Sequence, residues 1–170
     1  MPARGAVRPG AVRLWRVVKR RHAVTAFDGR AAQHYGGRWN SPGRRAVYAS
    51  GSKSLAVLEV LVHLDVGRPL PRLVALTFDV DSTFVDHLAA SRLPRHWRTA
   101  RGLPATQQIG DAWLAGGHAL ALAVPSPIVP EELNYVLNPA HTAFARLRFG
   151  RSIPFLLDPH LVGVTPGTSL

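Results

Sequence analysis

Residues 72–80 read RLVALTFDV, an apolar run rich in β-branched and aromatic side chains, with Pro69 and Pro71 marking its approach. Such a run is a buried strand, so the chain must build a sheet and cover it. Further strand-like stretches lie at 11–18 (AVRLWRVV), 44–50, 118–126, 133–139 and 152–158. Between them, Ser52 can cap a helix reaching about Leu64, and residues 105–116 read as a second helix stopped by Gly116 and Gly117. A short helix is expected near residues 87–91, and one or two helical turns near 141–147. Residues 19–36 read as an irregular loop with one helical turn. Strands and helices are interspersed without regular βα alternation. That pattern predicts an α+β fold: a compact mixed sheet with flanking helices.

At 170 residues, 46% of them hydrophobic, the chain can bury a single core, and residues 1–170 are expected to form one domain with residues 1–10 as a flexible arm. No apolar run reaches the length of a membrane span and no signal-peptide core follows Met1, so a cytoplasmic protein that does not engage a membrane is expected. There is no cysteine, which excludes disulfide and thiolate chemistry. The formal charge is +11, from 21 basic against 10 acidic side chains, and 19 of the 21 are arginine. An anionic partner would suit that balance: nucleic acid, a phosphorylated small molecule or an acidic protein surface. Arginines scattered over the surface are the plainer reading, because no single basic block is present.

Three features stand out as candidate chemistry. On the helix after Ser52, Leu55, Leu58 and Val62 form the expected apolar stripe, and Glu59 falls at its edge. A carboxylate pressed towards a core is either paired, with His63 or an arginine, or functional. Gly36 and Gly37 precede Arg38 and Trp39; glycine permits close approach of a ligand, a guanidinium can fork onto phosphate, and an indole offers a stacking face. The alternative is a glycine-rich turn with a core tryptophan. Ser126 ends an apolar strand in AVPSPIVP, where site residues often emerge, or else it is a serine in a proline-rich turn. No Gly-x-Ser-x-Gly elbow, His-Glu-x-x-His, phosphate-binding P-loop or Gly-x-Gly-x-x-Gly is present, so no metal site is expected and any nucleotide must be held by arginine.

In order, LWRV, GGRWNSPG, AVYAS, SLAVLEVLVHL, IGDAWL, AVPS and NYVLNPAH form a constellation that resembles the RES domain, the toxin half of bacterial toxin–antitoxin pairs. The resemblance runs from about residue 14 to the C-terminal region, and is most specific over 36–64 and 124–141. It implies a fold like that of ADP-ribosyltransferases, and a type II toxin that degrades NAD by cleaving the nicotinamide–ribose bond and passing ADP-ribose to water or phosphate. NAD would be the substrate, phosphate a possible co-substrate, and no cofactor would be needed. The implied partner is an Xre-type helix-turn-helix antitoxin in an oligomeric complex, with DNA reached only through it. Carried over by motif, the catalytic set is Glu59, Arg38, Ser126 and Tyr48, with Arg16, Trp39 and Gly37 binding substrate; Arg16 and Arg38 compete for the family arginine. The basic, glycine-poor segment 19–24 could alter the rim. Two other readings stand beside this one: an ADP-ribosyltransferase acting on a protein, and a basic nucleic-acid-binding module.

Overall fold

The computed structural model describes residues 7–64 and 69–162. Residues 1–6 of the expected arm and 163–170 of the tail lie outside the described residues. Among the described residues seven strands form one sheet in the order β4-β5-β6-β2-β1-β3-β7. In chain order they are β1 (Ala11–Lys19), β2 (Val47–Ser50), β3 (Leu73–Asp81), β4 (Val85–His87), β5 (Ala121–Pro125), β6 (Leu133–Leu137) and β7 (Ile153–Phe155). Three α-helices among the described residues accompany them: α1 (Arg30–Tyr35), α2 (Lys53–Leu61) and α3 (Leu103–Gly116). Among the described residues only β4 and β5 run parallel; every other pair is antiparallel. The α+β class expected from the sequence is the one observed.

β3 pairs with β1 along its full length, from Leu73 opposite Lys19 to Asp81 opposite Ala11. Burial on both faces explains its almost continuous apolar sequence. The two-residue period sorts the outer strands cleanly. Leu122 and Val124 of β5 join Val136 of β6 in a cluster with Trp39 and Leu114, while Ala121, Ala123, Tyr135 and Leu137 face the opposite cluster around Leu14, Phe78 and Val80. α2 lies on β1 and β2, burying Ala56 and Val57 against Val17, Leu73 and Ala75.

The seam between β1 and β2 positions the site. Those two strands share a single register pair, Trp15 opposite Ser50, whereas β2 and β6 share four. Beside that pair the Arg16 side chain, rather than a further ladder bond, reaches across to the Tyr48 carbonyl.

Several element boundaries differ from expectation, each for a local reason. The strand expected over 44–50 begins only at Val47, because the Arg44 carbonyl accepts from the buried side chain of Asn40 instead of from a ladder partner. α2 ends at Leu61, where the backbone tightens into i→i+3 bonds from His63 to Val60 and from Leu64 to Leu61. Its inner face is Leu55, Ala56 and Val57; Val62, expected on the apolar stripe, is 56% exposed. The helix expected over 87–91 is absent: residues 85–87 form β4, paired in parallel with β5, and a single 3-10 turn follows over Ala90–Arg92. Strands expected over 118–126, 133–139 and 152–158 are the shorter β5, β6 and β7. Among the described residues no helix is long and apolar enough to cross a membrane.

Candidate active site

A cleft of about 770 Å³ opens at the β1–β2 seam, and Arg16, Gly37, Arg38, Trp39, Tyr48 and Glu59 all border it. Its lining comes chiefly from β1, α1 and the loop after it, β2, α2 and the turn after β5, with Arg98, Leu103 of α3 and Asn134 of β6 completing it.

Glu59 is the most constrained of these groups. Ser52 caps α2 by accepting from the Leu55 N–H at 3.1 Å, and its own hydroxyl donates to Glu132 at 2.7 Å, which ties the start of the helix to the turn before β6. Two turns on, Glu59 Oε1 accepts from the Ser126 hydroxyl at 3.2 Å and from Asn134 Nδ2. Asn134 Oδ1 in turn accepts from the Ser50 hydroxyl at 2.7 Å. Ser126 is fully buried, and its oxygen also accepts from the Ile128 and Val129 N–H groups at 3.1 and 3.2 Å. One carboxylate oxygen is therefore clamped, while Oε2 has no hydrogen-bond partner among the described residues. His63, the partner considered from sequence, is exposed and has no bond to Glu59.

Arg16 spans the seam. Its Nη1 donates to the Tyr48 carbonyl, where a ladder bond would otherwise be expected. Its Nε is buried with no hydrogen-bond partner. Burial pulls the guanidinium down to about 10, an effect that Asp28 partly opposes, and the group stays charged at neutral pH. A half-buried cation that borders the cleft and keeps one unspent donor is suited to an anion.

The loop that carries Arg38 is built on Asn40 and Tyr48. Gly36 takes φ +73° as α1 ends, and Gly37 N–H donates to the Asn40 carbonyl at 2.8 Å. Asn40 is fully buried; its amide donates to the Ala32 and Arg44 carbonyls at 2.8 and 2.9 Å, and its Oδ1 accepts from the Tyr48 hydroxyl at 2.6 Å. The Tyr48 oxygen also accepts from the Trp39 N–H at 3.0 Å. Burial of this phenol raises its pKa above the ordinary tyrosine range. α3 presses against the same loop: Gln107 donates to the Gly37 carbonyl at 2.9 Å, and Asp111 accepts from Ser41 N–H at 3.0 Å. A β-carbon on Gly110 would lie 1.7 Å from the Trp39 carbonyl, so only glycine permits this contact. Arg38 Nη1 donates to the Trp97 carbonyl at 2.6 Å.

Two expectations change in this light. Trp39 borders the cleft but is only 2% exposed, and its ring packs with Leu114, Val124 and Val136. It is the core tryptophan of the alternative reading, because its apolar surface is already covered. Gly37 does not clear room for a ligand: a β-carbon there would stand 2.5 Å from the Tyr48 hydroxyl and 2.8 Å from Asn40 Oδ1. Its missing side chain makes space for the Tyr48–Asn40 pair. Sequence reasoning also missed Asn134, Ser50, Asn40 and Gln107. Asn134 left a signal, as the polar residue that shares the β6 face of Val136 within an otherwise apolar strand.

Comparison with known proteins supplies the context. The family model described as RES domain matches residues 13–158. "Toxin Res" of Photorhabdus laumondii is 37% identical over 150 residues, covering 88% of this chain and 96% of the relative. "Toxin Res" of Yersinia enterocolitica is 36% identical, covering 87% and 98%. The "Prs ADP-ribosylating toxin" of a Sphingobium strain is 33% identical, covering 88% and 96%. Among solved structures, the crystal structure of the M. tuberculosis MbcT-MbcA toxin-antitoxin complex contains a chain of the same fold, with a TM-score of 0.71 at 20% identity, covering 90% of this chain and 87% of that one.

Proposed function

The chain belongs to the RES domain family, and from that premise we propose that it is a toxin that cleaves the nicotinamide–ribose bond of NAD. The observation that carries this reading is the Glu59 carboxylate, with one oxygen held by Ser126 and Asn134 and the other unbonded in a cleft that also holds Arg16.

Breaking the bond between ribose C1′ and the nicotinamide nitrogen returns the bonding pair to the ring and leaves positive charge on the ribose. A carboxylate fixed beforehand stabilises that charge without reorganising. Water, or phosphate, then bonds to C1′, and water gives up its proton to Glu59 or to solvent. Arg16 offers its unspent Nε–H to the pyrophosphate, and Arg38 adds a second cation whose aim is fixed by the Trp97 carbonyl. Ser126 and Tyr48 act as positioning residues: one fixes Glu59, the other fixes the loop of Arg38. The partner in this reading is an antitoxin, a view supported by the fold shared with the MbcT-MbcA complex, and by the family resemblance it is of the Xre type.

A second reading, transfer of ADP-ribose to a protein, is favoured by one observation: the name of the Sphingobium relative. It shares the first half-reaction. One experiment tests both: NAD loss by purified protein, with and without phosphate or a candidate protein acceptor, and with products identified. Glu59→Gln should lower the rate at least ~100-fold, as removal of a preorganised charge-stabilising group commonly does. Near-normal turnover in a folded Glu59→Gln protein would eliminate the assigned role, and no NAD loss under any condition would eliminate the reading.

A further inference from the structure

A second concavity, of about 510 Å³, shares no lining residue with the cleft. It is framed by the turn before β1, the facing ends of β1 and β3, and residues 143–150. Both arms are fixed by main-chain bonds: Ala11 N–H to the Arg8 carbonyl at 3.0 Å, Ser82 N–H to the Gly10 carbonyl at 2.8 Å, and Gly150 N–H to the Thr77 carbonyl at 2.8 Å.

The chemistry of the lining is unequal. Phe78, Phe84, Leu120 and Leu147 supply an apolar floor, and Arg8, Arg13, Arg146 and Arg148 stand around it. Its two carboxylates are already engaged. Asp79 receives a forked pair of bonds from Arg13 at 2.7 and 2.9 Å, and Asp81 accepts from both the Thr83 N–H and hydroxyl. Arg8, Arg146 and Arg148 are exposed and make no salt bridge among the described residues; Arg8 acts on Asp79 only through space. Three guanidiniums from two separate segments thus ring one concavity, none of them in a salt bridge among the described residues, and only Arg8 with a carboxylate, Asp79, acting on it through space. A duplex would meet arginines on a flat or protruding surface, not around a recess with an apolar floor. The volume falls in the range of small-molecule sites, ~300–1,000 Å³.

We propose that this concavity is a second ligand site, which takes a phosphate-bearing molecule with a flat apolar body, such as a nucleoside monophosphate. Phosphate meets Arg8, Arg146 and Arg148, and the body lies on the apolar floor.

The test is an NMR titration of the full-length protein, labelled on its amides, with AMP, with inorganic phosphate and with a short DNA duplex. AMP should shift the Gly10 and Gly150 amides saturably, and Arg146→Ser/Arg148→Ser should weaken that response at least ~10-fold, since each lost charge-assisted contact is worth about that factor. Inorganic phosphate, lacking the body, should bind the same amides more weakly, and NAD cleavage by the double variant should be unchanged. The proposal is overturned if AMP produces no saturable shift there, if the double variant responds as the wild type does, if phosphate binds as tightly as AMP, or if the duplex is the tighter ligand. A parallel titration with NAD reads the cleft through the Gly37 amide, so failure of the NAD reading would leave Gly37 unmoved by NAD while Gly10 and Gly150 still respond to AMP.

Discussion

Replacing Ser126 by alanine separates a serine that reacts from a serine that holds. The hydroxyl is fully buried, donates to Glu59 and accepts from the Ile128 and Val129 N–H groups. A hydrogen bond to a carboxylate contributes about 1.5–3 kcal/mol, and the two neutral bonds about 1 kcal/mol each. Ile128 and Val129 are half-buried, so water recovers part of what their N–H groups lose. The net cost should be about 3 kcal/mol. For a domain of this length that is a fall in Tm of about 6–12 °C, at ~2–4 °C per kcal/mol. Asn134 still grips Glu59 in the variant, so kcat should fall by ~10–100-fold, less than in Glu59→Gln. Thermal unfolding and NAD turnover on the same preparation supply both numbers. Unchanged stability combined with complete loss of turnover would refute the holding role and make Ser126 a reacting group.

Other expectations follow from the loop and the cations. Gly37→Ala drives a methyl group into the Tyr48 hydroxyl and should cost about 1–3 kcal/mol; Tyr48→Phe in the same chain removes the nearest clashing atom, so the two changes should combine less than additively in urea unfolding. Tyr48 keeps its proton in the folded state beyond the pH at which the unfolded chain loses it, near ~10, so its contribution to stability is full below that pH and declines above it. The stability difference between wild type and Tyr48→Phe should therefore shrink between about pH 10 and 11.5, and a difference independent of pH would show that the phenol is not shielded. Arg16→Lys loses the planar fork and should raise KM for NAD with little change in kcat; a defect confined to kcat would place Arg16 at the reacting ribose instead.

Much of this fold was legible because apolar runs and caps are local signals. RLVALTFDV had to be a buried strand, Ser52 does cap α2, and Gly117 closes α3 in a left-handed conformation. β4 was not legible: three residues, Val85, Asp86 and His87, carry no pattern, and they become a strand only because the parallel β5 lies beside them. The site divides the same way. Glu59 was detectable as a charge at the edge of an apolar face, Arg38 beside its glycines, Ser126 at a strand end, and Arg16 and Tyr48 through the family motifs. The function of Gly37 was misread because its neighbour across space is Tyr48, eleven residues on, and no local rule pairs them. Asn134 holds Glu59 from 75 positions away, a separation that only the β2–β6 pairing explains.

The single register pair between β1 and β2 divides the backbone ladder into two halves, β4-β5-β6-β2 and β1-β3-β7, joined by one rung, the Arg16 bridge, the helix laid across both and the core cluster around Leu14, Phe78 and Val80 that they share. Glu59 rides on the crossing helix, its clamp stands on the first half, and Arg16 stands on the second. A dinucleotide seated in the cleft would touch both halves and act as the missing rungs. Occupancy and ladder continuity are then linked: any molecule that spans this line, substrate or protein inhibitor, would bridge the place where the backbone ladder is thinnest.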